Sequence, residues 1–155
     1  MKVLLEKADI KDVEAIHELQ VESFSPLLEK YQDFETNPAN EGLDRILERC
    51  QQDITTYYFI VLDGVRIGAI RLVYWTDKRR ARISPIFILP RYQGRGFGQQ
   101  AMALVEERTN AVVWELDTIL QEQGNCHLYE KMGYRKMGPV KEVNERMTIV
   151  HYEKS

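Results

Sequence analysis

The sequence predicts one α/β domain, a mixed sheet of about six to seven strands flanked by about four helices. Three observations predict it. Two runs rich in β-branched and aromatic residues, Thr55 to Leu62 and Val65 to Trp75, flank Asp63-Gly64, a strong hairpin turn. The apolar run from Ile83 to Leu89 stops at Pro90 and passes through Gly94, Gly96 and Gly98 into a helical pattern. Beyond that helix, Ala111 to Ile119 reads as a further strand, so the strand–helix–strand crossover makes its two strands parallel neighbours.

Val3, Leu4 and Leu5 are the expected first strand. Asp9 is placed to cap a helix with Asp12 in its first turn, and Ile10, Val13, Ile16 and Leu19 share one face. Ser25-Pro26 is expected to break this helix, and Leu27 to Asn40 has no dominant period. Asn40 is expected to cap a second helix carrying Leu43, Ile46, Leu47 and Cys50 at i, i+3, i+4, i+7. Within the hairpin Gly68 marks a bulge or a close approach of backbone, and Thr76 to Arg80 turns the chain into the central strand. After the glycines, Ala101, Leu104, Val105 and Arg108 keep helical spacing. Gln123 to Met132 is a short helix with Asn125, Leu128, Tyr129 and Met132 on one face and Gly133 as its C-cap. Tyr134 to Met137 and Arg146 to Tyr152 close the sheet across Gly138-Pro139 and a charged turn.

At 155 residues, with no repeat, linker or low-complexity tract, the chain reads as one domain spanning residues 1–155. No apolar run approaches the roughly 18–20 residues of a membrane span, so no membrane partner is expected. Acids stand early in the N-terminal stretch, where a signal peptide would have its apolar core, and the expectation is a cytoplasmic protein. Cys50 and Cys126 are too few for a disulfide scaffold. His17, His127 and His151 show no metal spacing, so no metal site is expected. The net charge of -3 hides an asymmetry: residues 1–63 carry 14 acids and 6 bases, residues 64–112 carry 3 acids and 9 bases. The basic segment contains the glycine loop and suits a polyphosphate. Overall acidity and the lack of a recognised motif argue against nucleic acid.

A glycine loop feeding a helix N-terminus offers unpaired N–H groups and the positive end of the helix dipole. A P-loop would follow its last glycine with Lys-Ser/Thr, but Gly98 precedes Gln99-Gln100. A dinucleotide fingerprint would place its third glycine at position 99, which is Gln99. Both fail. What stands here is Gln93-Gly-Arg-Gly-Phe-Gly98, which resembles the Gln/Arg-x-x-Gly-x-Gly/Ala signature of the GCN5-related N-acetyltransferase (GNAT) superfamily. The bland alternative is a tight strand–helix turn that binds nothing. The element order also matches that family over nearly the whole chain, and Leu128-Tyr-Glu-Lys-Met-Gly-Tyr134 is similar to its Leu-Tyr-x-Lys-x-Gly-Phe/Tyr motif.

The resemblance implies an N-acetyltransferase with acetyl-CoA as co-substrate and an amine acceptor; the assembly, monomer or homodimer, stays open. It implies that Gln93, Gly94, Arg95, Gly96, Phe97, Gly98 and Gln99 hold the pyrophosphate. Backbone groups of Ile86, Phe87 and Ile88 would meet the pantetheine arm, and an N–H such as that of Ile88 would face the carbonyl oxygen. Tyr129 occupies the position that protonates the leaving thiolate, and it also has the spacing of a core tyrosine. Many members have an asparagine seven residues before that tyrosine; here the position is Glu122. Asn125, four residues before Tyr129, either replaces that contact or caps the helix.

Attack on a thioester needs a neutral amine, hence a base, direct or through water. Asp117 and Glu115 share one face of their strand, Asp117 nearer its C-terminal end, and Glu22 is a further candidate; each can equally be structural. With no Gly-x-Ser-x-Gly elbow, direct attack without a covalent enzyme intermediate is expected. A non-catalytic acyl-CoA-binding or sensing module, and an enzyme using another acyl-CoA such as succinyl-CoA, are the two competing readings.

Overall fold

The computed structural model describes all of residues 1–155. Its eight strands form one sheet in the order β1-β2-β3-β4-β5-β8-β6, with β7 also paired to β8. They are β1 (Leu4–Lys7), β2 (Thr55–Leu62), β3 (Val65–Trp75), β4 (Arg80–Ile88), β5 (Val113–Ile119), β6 (Arg135–Lys136), β7 (Lys141–Glu142) and β8 (Thr148–Lys154). The helices are α1 (Val13–Tyr31), α2 (Leu43–Cys50), α3 (Phe97–Arg108) and α4 (Gln123–Lys131). All pairings are antiparallel except β4–β5, the crossover pair expected around α3. No helix is long and apolar enough to cross a membrane.

Side chains alternate along β2, so each face of the sheet finds its own helices. Tyr57 and Phe59 are buried with Val13, Ile16 and Ile46 beneath α1 and α2. Ile60 and Leu62 join the larger cluster with Phe97, Ala101, Met102 and Val105 of α3 and Cys126 of α4. Asp63 and Gly64 both take positive φ, 49° and 79°, as a two-residue hairpin turn requires. At Gly68 the backbones crowd. A Cβ there would lie 2.1 Å from the Phe87 carbonyl oxygen. Opposite it, the register shift between Ile60 and Val61 leaves Ile67 as the extra residue of a bulge.

Three expectations are corrected. The first helix does not break at Ser25-Pro26; α1 runs through to Tyr31. Pro26 is exposed, so the Glu22 carbonyl it leaves unpaired lies on the wet side, while Ser23 and Tyr31 are buried on either side of it. A proline inside a helix costs about 3 kcal/mol, and the packing on both flanks offsets it. Asp9 does cap, as expected, closing a capping box with Asp12 on the 3-10 turn Ile10–Asp12 that leads into α1. Asn40 does not cap α2: its amide donates to the Phe34 carbonyl at 2.6 Å, and Gly42 is the N-cap. The closing strands also differ: Tyr134 to Met137 contracts to β6, and the charged turn contains the unanticipated β7.

Candidate active site

β4 and β5 pair only from Arg80 to Arg82 and Val113 to Glu115, then diverge. A bulge in β4 lies where they part. Ile70 faces Ile86 and Leu72 faces Ile83, so Ser84 and Pro85, joined by a cis peptide, stand opposite Arg71 alone. Arg71 Nη1 donates to the Ser84 carbonyl at 2.8 Å and holds this bulge. Beyond it, the β5-facing edge of β4 has no strand partner. The gap is a cleft of about 190 Å³. Ile83 to Ile86 form one wall and Leu116 to Ile119 the other, with Phe24 and Leu27 of α1 above and Asn125 and Tyr129 of α4 at the end.

The glycine loop lies between β4 and α3. Gly94 and Gly96 take φ of 77° and 82°, the left-handed region that glycine enters without strain. From Gly94 to Gln99 no backbone N–H finds an acceptor within the chain; the next, that of Gln100, bonds the Gly96 carbonyl. The Gln93 amide donates to the Ile88 carbonyl at 2.8 Å, fixing the loop against the strand end. Phe97 is buried and anchors the helix start. Gly98 brings α3 down onto β4, a Cβ there lying 3.9 Å from both Ile86 Cδ1 and Ile88 Cγ1. Phe87 points to the opposite face, edge-on to Phe24 at 5.5 Å between ring centres.

Tyr129 is half-buried in the cleft wall, its ring 6.2 Å from both Tyr134 and Tyr152. Those two hydroxyls bond Glu106 and Glu130, whereas the Tyr129 hydroxyl has no partner in the chain. Burial, with Cys126 beside it, pushes its pKa up to about 12. Asn125 lies in the first turn of α4 and in the cleft wall; its side chain caps nothing. Glu122, at the position where the family has asparagine, turns away to α1, accepting from Lys30 Nζ at 2.7 Å and from the Tyr31 hydroxyl. Burial alone would raise its pKa, but Lys30 and Tyr31 hold it low.

Asp117 also lines the cleft, with both oxygens engaged: Arg82 Nη2 donates at 2.7 Å and His151 Nδ1 lies at 2.6 Å. Burial favours its neutral form, yet Arg82 and His151 outweigh that and keep it below the usual carboxylate range. His151 Nε2 meets Glu153 at 2.8 Å, and Arg80 and Arg82 bond Glu115 at 2.5 and 2.9 Å. This network corrects the picture of a free basic segment: Arg80 and Arg82 are neutralised by acids of β5 and β8, and Arg91 by Glu22. Arg95, exposed in the loop, is the base beside the free N–H groups that carries no ion pair. Missed altogether was Asp33, buried in the cleft wall and bonded to Thr36. Its Asp-x-x-Thr spacing, an Asx-turn pattern, was the available signal.

Comparison with solved structures finds the same architecture across this chain. An acetyltransferase from Thermus thermophilus superposes with TM-score 0.75 at 16% identity, covering 99% of this chain and 97% of the other. Spermidine N-acetyltransferase from Vibrio cholerae, in complex with CoA and spermine, gives 0.76 at 21% identity, covering 98% and 94%. The ribosomal-protein-S18-alanine N-acetyltransferase from Escherichia coli gives 0.75 at 14% identity, covering 98% and 92%. Identities this low establish a common fold. No curated protein matches the sequence. The model of the acetyltransferase (GNAT) family matches residues 13–134, and with its loop and cleft in place the chain belongs to that family.

Proposed function

We propose that this protein transfers an acetyl group from acetyl-CoA to a primary amine by direct attack. The observation that carries the reading is the run of unpaired N–H groups from Gly94 to Gln99, opening beside a cleft where a sheet edge is also unpaired. The loop N–H groups, the α3 dipole and Arg95 bind the pyrophosphate. The free edge of β4 at Ile86 to Ile88 accepts and donates to the pantetheine amides, and an N–H there faces the oxygen on which negative charge develops. Asn125, at the cleft end, is a further polar contact for that arm.

The amine nitrogen bonds to the carbonyl carbon, the C–S bond breaks, and the amine's proton leaves. Asp117, held acidic by Arg82 and His151, is a weak base, so its charge orients water that takes this proton. Tyr129 keeps its proton at neutral pH and donates a hydrogen bond to the departing sulfur. Purified protein incubated with acetyl-CoA and a panel of amines should release free thiol in step with an acetylated amine. CoA binding without thiol release from any amine would replace this reading with that of a binding or sensing module. Faster release from succinyl-CoA than from acetyl-CoA would change the donor alone.

A further inference from the structure

The cleft wall holds two carboxylates and no lysine, arginine or histidine. Asp117 is already neutralised by Arg82 and His151. Asp33 is not. It is 3% exposed, and its partners are the Thr36 backbone N–H at 3.0 Å and the Thr36 hydroxyl. No cationic group reaches it within the 4.0 Å of an ion pair. A carboxylate has about four lone-pair sites, so two accepted bonds leave capacity for another donor. A buried charge is costly unless it is paired. The remaining wall is mostly apolar, with Phe24, Leu27, Pro85, Met147 and Ile149, a lining suited to methylene groups.

We propose that Asp33 binds a second cationic group of the acceptor, which makes the acceptor an aliphatic amine carrying an ammonium besides the nitrogen that is acetylated. This rests on the reading of the cleft as the acceptor site of a transferase. The nitrogen that attacks has to be neutral. A fixed carboxylate favours the charged form of whatever amine lies against it. Asp33 therefore serves a nitrogen that stays protonated through the reaction, while the reacting one lies toward Tyr129. The chain's own fold prepares the carboxylate: Gln32 ends α1 in the left-handed conformation, and the Thr36 N–H and hydroxyl fix the Asp33 rotamer.

The probes are 1,4-diaminobutane and n-butylamine, titrated calorimetrically into the CoA complex of the wild type and of Asp33→Asn. The asparagine keeps an oxygen for the Thr36 N–H, removes the charge, and turns the second bond round, its NH2 donating to a Thr36 hydroxyl that now accepts. Charged hydrogen bonds set the expected effect: about ten- to a hundredfold tighter binding of the diamine than of the monoamine in the wild type. In Asp33→Asn the two should bind alike, with CoA affinity unchanged, and Asp33→Glu should restore part of the preference. Equal binding of the two amines by the wild type overturns the proposal without any variant. So does undiminished diamine affinity in Asp33→Asn. Charge-dependent diamine binding with no thiol release upholds the Asp33 assignment and defeats the transferase reading. Thiol release from the diamine at the same KM in Asp33→Asn upholds the transferase and defeats the assignment.

Discussion

Replacing Tyr129 by Phe removes one hydroxyl and keeps the ring that packs against Tyr134 and Tyr152. That hydroxyl has no partner in the chain, so no protein group is orphaned and stability should change by less than about 0.5 kcal/mol. The catalytic loss follows from the pKa values. Burial raises the Tyr129 pKa to about 12, well above the roughly 8.5 of an ordinary thiol, so complete proton transfer to the sulfur is uphill. On the proposed mechanism the residue therefore supplies a hydrogen bond to a developing thiolate rather than full proton donation. Hydrogen bonds to charged groups are worth about 1.5–3 kcal/mol, which corresponds to about a 10–100-fold fall in kcat. Single-turnover thiol release, after the acceptor and CoA affinities are shown to match the wild type, measures it. Wild-type turnover in Tyr129→Phe, with chemistry limiting, would make Tyr129 a packing residue only.

Gly96→Val places a side chain in open space at φ 82°, so the fold loses about 1–2 kcal/mol of conformational energy while CoA affinity falls by calorimetry. Unchanged affinity would take the loop out of the site. Gly68→Ala forces a Cβ to within 2.1 Å of a backbone oxygen, and denaturant unfolding should register a loss of at least about 3 kcal/mol, or no folded protein. A loss under about 1 kcal/mol would mean the strands separate freely there. The last concerns pH. Burial lowers the His151 pKa, but Asp117, Glu153 and Glu115 overcome this and raise it, with Arg80 and Arg82 the facing bases. A group raised on folding stabilises fully below its unfolded pKa of about 6.5 and loses that contribution as pH rises through the folded value. The melting temperature of the wild type should thus decline relative to His151→Gln as pH climbs above about 6.5, and parallel curves would refute the assignment.

Local chemistry determined much of this protein. Alternation and β-branching set β2 and β3 with their Asp63-Gly64 turn, because strand period and turn geometry depend on neighbours in sequence. The glycine loop was legible for the same reason: left-handed φ at Gly94 and Gly96, and N–H groups with no preceding turn to bond to, are properties of the segment. Tyr129 was legible through the motif around it. Other features were decided in three dimensions. α1 continues through Pro26 because the sheet packs both flanks of a defect whose open carbonyl faces water. The pairing of Asp117 with Arg82 and His151 joins three strands that sequence distance keeps apart, and it turns a candidate base into a held charge. Asp33 lay in a stretch without periodicity, where no local rule states burial. Only the closure of α1 and the segment after it over β4 and β5 places that carboxylate in the cleft without a cation.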